Sequence, residues 1–190
     1  MFARPLQNGI ELKLFEDRHA ESLFAAIERD RLYLREWLQW VDSTKTAEDI
    51  RNFIRMSLNQ FASREGLAAG IWLGPRCIGS IGTHKIDWLN RKLEFGYWIA
   101  QEFQGRGIMT EASRVFIDHA FHEWQIHRVE IHCATGNARS CAIPKRLGFR
   151  LDGTTRQAQL LNGQFVDIHV FGLLAQDWGG RMELRSEGAV

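Results

Sequence analysis

The sequence predicts a mixed α/β protein of the α+β kind, a mostly antiparallel central sheet flanked by helices. Three observations predict it. Helical patterns crowd the first third, where three follow a single strand. Gly74-Pro75 and Asn162-Gly163 join strand patterns as hairpins. The regular βα alternation of a doubly wound nucleotide fold is missing, as are the Gly-x-Gly-x-x-Gly and Gly-Lys-Ser/Thr phosphate loops.

Ile10 to Phe15 alternates Ile10, Leu12 and Leu14 with Glu11 and Lys13, the pattern of a half-buried strand. Asp17 is placed to cap a helix carrying Leu23, Phe24 and Ile27 on one side. Leu32 to Trp40 predicts a second short helix. Thr46, with Glu48 and Asp49 behind it, starts a third, with Ile50, Phe53, Ile54, Ser57 and Phe61 along one stripe. Leu67 to Leu73 and Cys77 to His84 form a hairpin, and Asp87 to Arg91 turns into a strand over Lys92 to Ala100. A helix is predicted over Thr110 to Trp124. A strand over His127 to Ala134 puts Val129, Ile131 and Cys133 on one face. A helix from Asn137 to Leu147 stops at Gly148, the residue type expected there. Pro144 in its second turn removes a donor and predicts a kink. Phe149 to Gln159 and Phe165 to Leu174 close the chain as a hairpin.

At 190 residues the chain is long enough for one domain with a sizeable core. Residues 1–180 read as that domain and 181–190 as a flexible tail. A net charge of +1 gives no electrostatic reason to expect a nucleic-acid or membrane partner. Cys77, Cys133 and Cys141 are odd in number and lack a Cys-x-x-Cys spacing, so they read as reduced thiols in a cytoplasmic protein. The histidines have no accompanying ligand cluster, and no metal site is expected. They read as solvated or packed rather than catalytic. The amino terminus has no apolar signal core, and no apolar run reaches membrane-spanning length.

Residues 103–111 concentrate the chemistry: Phe-Gln-Gly-Arg-Gly-Ile-Met-Thr-Glu sits directly behind one strand and ahead of one helix. A turn there aims backbone N–H groups and the positive end of the helix dipole at one point, a seat for a phosphate or pyrophosphate. Gly105 and Gly107 are free to take φ > 0, and Arg106 adds charge for a phosphate oxygen. An ordinary strand-to-helix loop has the same outline.

Gln104-Gly105-Arg106-Gly107-Ile108-Met109 resembles the acetyl-CoA signature Gln/Arg-x-x-Gly-x-Gly/Ala of the Gcn5-related N-acetyltransferase (GNAT) superfamily, with Met109 at the Gly/Ala place. Four further segments resemble its RimJ/RimL group of ribosomal-protein N-terminal acetyltransferases: residues 34–49, Phe95-Gly96-Tyr97-Trp98-Ile99, 137–149, and Gln157-Ala158 with Leu161-Asn162-Gly163. The resemblance covers roughly residues 8–178 in consistent order. It implies a groove where the fourth strand (Lys92 to Ala100) and fifth strand (His127 to Ala134) splay apart, with acetyl-CoA lying along it. Trp98 and Ile99 would then offer backbone groups to the pantetheine. Gln104, Gly105, Arg106, Gly107, Ile108, Met109 and Thr110 would hold the pyrophosphate. It also implies a homodimer.

Forming an amide from a thioester needs a neutral amine, a stabilised oxyanion and a path out for the thiolate. A lysine amine (pKa about 10.4) demands far more of a base than an α-amine at about 7.7–8.0. Glu94, ten residues before Gln104, stands where the superfamily's glutamate base lies. Its other reading is a salt bridge to Lys92 or Arg91. The superfamily's frequent thiolate-facing Tyr is replaced by Pro144, and RimL-like members carry instead a Ser one helical turn earlier, which here is Ser140. Ser140 is thus the candidate acid, or the hydrogen-bond donor to the CoA sulfur; otherwise it caps its helix. Asn137 caps that helix or bonds the pantetheine. RimL-like sequences tend to carry a Glu just after Gln-Ala. Here it is Gln159, which takes no proton, so the catalytic set is Glu94, Ser140 and a neutral Gln159. Trp37, Trp40 and Trp88 are candidates to wall the acceptor site, with core packing the expected place for at least two of them.

The acceptor this implies is a protein N-terminal α-amine, with a small amine such as a polyamine, amino acid or antibiotic as the alternative. Gln159 and Met109 keep open a non-catalytic acyl-CoA-binding domain.

Overall fold

The computed structural model describes residues 3–179, so the tail expected over 181–190 lies outside the described residues. Eight strands form one sheet in the order β1-β2-β3-β4-β5-β6-β8-β7. They are β1 Ala3–Pro5, β2 Ile10–Leu14, β3 Ala68–Leu73, β4 Arg76–Asp87, β5 Lys92–Ile99, β6 Arg128–Ala134, β7 Arg150–Leu161 and β8 Gln164–Leu174. The helices are α1 Ala20–Arg29, α2 Arg31–Leu34, α3 Ala47–Ala62, α4 Ile108–His122 and α5 Ala138–Arg146. Every neighbouring pair is antiparallel except β5 and β6, which run parallel. The strands expected as fourth and fifth are therefore β5 and β6, because β1 adds three residues at the edge.

Alternation along the strands splits the apolar residues between two cores. Ile71 and Ile78 join Leu93, Phe95, Val129 and Ile131 under α4, where Phe116, Ile117 and Ala120 are buried. Their neighbours Trp72 and Cys77 point to the other side and pack with α1 and α3 through Leu23, Ile27, Ile50 and Ile54. Period-two geometry forces this division. Asn162 (φ 49°) and Gly163 (φ 82°) both take the left-handed conformation that a two-residue hairpin turn requires.

Three local expectations are corrected. The helix over Leu32 to Trp40 shrinks to α2 plus a 3-10 turn at Gln39–Asp42. Leu38 is extended there, and the Arg31 guanidinium donates to the carbonyls of Val41 and Thr44, fastening the loop instead. Asp17 does not cap α1. Glu16 heads a short 3-10 turn whose box is closed by the Glu16 N–H donating to His19 Nδ1 at 3.0 Å, while Asp17 pairs with Arg55. Finally, α4 begins at Ile108, two residues before the expected Thr110.

Candidate active site

The sheet opens where its one parallel pair ends. β5 and β6 stay in register through Lys92–Arg128, Leu93–Val129 and Glu94–Glu130, and the pairing goes no farther, although both strands continue. β4 satisfies one edge of β5 through Ile99. Alternate backbone groups from Phe95 to Ile99 therefore face the gap without a strand partner, an edge on which an extended amide-bearing ligand can add. The resulting groove has a volume of ≈ 2570 Å³ and runs from this fork to the glycine turn.

The turn has the conformation its glycines allow. Gly105 (φ 72°) and Gly107 (φ 77°) are left-handed, and a Cβ added to either would meet no heavy atom within 4 Å. Backbone conformation, rather than local crowding, is what demands glycine here. Gly107 is the N-cap of the fifteen-residue α4, and its carbonyl accepts the Glu111 N–H at 3.0 Å. The N–H groups of Ile108, Met109 and Thr110 precede the first intrahelical donor and point out of the helix end. The side chains of Ile108 and Met109 are buried in the α4 core, so the methionine at the Gly/Ala place points inward. Arg106 lies over the Phe103 ring at 5.3 Å. Gln104 ties two helices together: its amide donates to Tyr33 Oη at 2.5 Å and accepts from Arg139 at 2.7 Å.

At the fork, Glu94 is partly exposed and lies on the groove wall. Its partner across the fork is His132 Nδ1, 3.5 Å away, in place of the expected Lys92 or Arg91. Lys92 goes to Glu130 instead, at 2.9 Å. Asn137 is the helix cap, accepting the Ser140 N–H at 3.0 Å. This frees the Ser140 hydroxyl from capping; it stands 3.3 Å from Cys133 Sγ, facing the groove. Burial pushes the Cys133 thiol well above its ordinary range, so it stays protonated near neutral pH. The Tyr97 hydroxyl donates to the Ser140 carbonyl at 3.1 Å, joining β5 to α5. Gln159 reaches the groove from β7 beside a bulge between Thr155 and Gln159, where Gln157 (φ 49°) donates its N–H to Asp167 at 2.8 Å.

All the residues expected to act therefore face one groove, from Glu94 at the fork to Thr110 at the turn. Trp37 and Trp40 line it as well. Trp88 does not: it meets Trp124 edge to face at 6.1 Å and donates to the Arg64 carbonyl, a packing role. The sequence reading missed His132, Tyr97, Tyr33 and Arg139. For His132 a signal was present. Glu130 and His132 share a face two residues apart, but only the register places Glu94 beside them.

A helix start that offers free N–H groups, an open strand edge and a carboxylate at the fork fit a groove of the acyl-transferring GNAT class. The acetyltransferase (GNAT) domain family matches residues 10–150, and the chain belongs to that family as an N-acetyltransferase. It is 36% identical to the putative ribosomal N-acetyltransferase YdaF of Bacillus subtilis strain 168, over 95% of this chain and 99% of that protein. It is 26% identical to the ribosomal-protein-serine acetyltransferase of Escherichia coli K12, over 87% of this chain and 93% of that one. A crystal structure described as a probable acetyltransferase superposes with a TM-score of 0.88 at 36% identity, covering 93% of this chain and 99% of the other.

Proposed function

We propose that this protein transfers the acetyl group of acetyl-CoA directly to the N-terminal α-amine of a protein, with a ribosomal protein as the favoured acceptor class. The observation that carries the reading is the fork. It exposes an unpaired β5 edge for the pantetheine, with Glu94 at its base and Ser140 on the same groove, and leads to the N–H cluster of α4 for the pyrophosphate. The acceptor class is supported by the two relatives above, one named a putative ribosomal and the other a ribosomal-protein-serine acetyltransferase.

The chemistry then divides among this chain's residues. Glu94 takes a proton from the incoming ammonium through a water. The neutral nitrogen attacks the thioester carbonyl carbon. When the C–S bond breaks, Ser140 Oγ donates a hydrogen bond to the departing thiolate. Gln159 takes no proton; its amide orients the acceptor backbone. An α-amine suits so small a set, since about a tenth of it is already neutral at pH 7. Trp37 and Trp40 wall the acceptor end. The protein acts in the cytoplasm, and the exposed Leu151, Leu160 and Phe165 of the β7–β8 hairpin offer a face to a second copy.

Incubation with acetyl-CoA and peptides beginning in Ser or Ala, beside spermidine and free amino acids, tests the acceptor class. Mass spectrometry should place one acetyl group on the peptide α-amine. Faster turnover on spermidine than on any peptide would replace the protein acceptor with a small amine.

A further inference from the structure

Glu130 is an acidic residue with no place in the mechanism above, and it is 4% exposed. Its Oε1 accepts from Lys92 at 2.9 Å and from Arg128 at 2.8 Å. Burial raises its carboxyl affinity for a proton, but these two donors outweigh burial and hold it below the usual carboxylate range. Glu130 is therefore an ionised acceptor at neutral pH. Its other oxygen, Oε2, lies 3.2 Å from His132 Nε2, and an ionised carboxylate accepts only. An Nε2–H therefore points at Glu130, which holds the ring with its Nδ1 edge toward Glu94. Nδ1 lies 3.5 Å from Glu94 Oε1, longer than a finished hydrogen bond; once Glu94 has taken a proton, its O–H can donate to this nitrogen.

We propose that His132 is a positioning residue for Glu94 that also carries its proton away, in a relay Glu94–His132–Glu130 built across the last paired rung of the fork. The inference rests on Glu94 acting as the base. In each turnover the ammonium N–H bond breaks and an O–H bond forms on Glu94. That O–H then breaks as Nδ1–H forms on His132, while Nε2–H stays with Glu130. The Nδ1 proton passes to water, and Glu94 returns to its carboxylate. A second cavity of ≈ 240 Å³ is lined by Lys85, Asp87, Lys92, Glu94, Glu130 and His132. Glu94 and His132 line both spaces, so a proton taken up on the groove side has a second, charged cavity beside it.

Charged and titratable groups around the ring come from three strands. β5 contributes Lys92 and Glu94, β6 contributes Arg128 and Glu130, and β4 contributes Lys85 and Asp87 in the second cavity and His84 on the groove wall. Asp152 on β7 binds Arg128 from the far side. Lys92 and Arg128 pair with Glu130 rather than with Glu94, which leaves Glu94 as the carboxylate that cycles.

The test is the pH–rate profile of His132→Gln, with His132→Asn in reserve should the first fail to fold. Glutamine can still hold Glu94 but cannot take its proton. General-base assistance is worth about 10²–10⁴-fold; losing a relay that only restores the base should cost less, lowering kcat about 10-fold, with KM for acetyl-CoA unchanged. The deficit should shrink as pH rises and the acceptor amine deprotonates. In His132→Ala, added imidazole should restore turnover in proportion to its concentration. A variant with the parental kcat and pH profile, or one that imidazole leaves unchanged, overturns the relay while the parent's turnover keeps the proposed function. A parent with no turnover on any amine overturns both.

Discussion

Glu130 and His19 show how single residues here are held in one protonation state by their neighbours. Glu130 is buried but ionised because Lys92 and Arg128 both donate to it. His19 is the reverse case. Burial, chiefly, lowers its pKa from 6.5, with Arg18 and Lys13 adding to the effect against Glu16. Its ring lies 4.4 Å from Trp72, and its bare Nδ1 accepts the Glu16 N–H. A histidine depressed on folding contributes stability that is complete above its unfolded pKa of 6.5 and is lost as pH falls below it. Melting temperatures measured from pH 8 to pH 5 should therefore fall, and His19→Gln should flatten the part of that fall below 6.5. An unflattened curve would assign the loss to other groups. At the fork, Glu94→Gln should slow acetyl transfer about 10²–10⁴-fold without changing acetyl-CoA affinity. Rates unchanged between pH 6 and 9 would remove Glu94 as base.

Elements were legible where a local pattern matched the tertiary demand. The α3 start is an example: Thr46 and Asp49 form a reciprocal capping box, with Asp49 accepting the Thr46 N–H at 2.8 Å. The Asn-Gly hairpin and the α5 cap were equally local. Asn137→Ala removes the acceptor for the Ser140 N–H and should destabilise the protein by about 1 kcal/mol, read from chemical denaturation. Where a distant contact decided, the pattern misled. Arg31 reaches the carbonyls of Val41 and Thr44 and ends the helix expected to run to Trp40. Trp88 was grouped with Trp37 and Trp40, and only the fold separates them. α4 depends on its buried face. Phe116 is 1% exposed and stacks on Phe95 at 5.0 Å, so Phe116→Ala should cost about 3–5 kcal/mol. A cost under 1 kcal/mol would mean that the core between α4 and the sheet relaxes around the loss.

On the scale of the molecule, one topological feature generates the site. A single parallel pair within an otherwise antiparallel sheet parts after three rungs. That parting opens the β5 edge, sets Glu94 at its apex, and directs the chain through the glycine turn into α4. The motif for the turn could be read in nine consecutive residues. The proton path could not, because Glu94 and Glu130 lie 36 positions apart and meet only through the register. The most direct measurement is release of free CoA thiol from acetyl-CoA, with a serine-initiated peptide and with the same peptide blocked at its α-amine. Thiol release that requires the free α-amine and matches acetylated peptide one for one is the expected result. Tight binding of acetyl-CoA with no thiol released for any acceptor would contradict acetyl transfer at the fork.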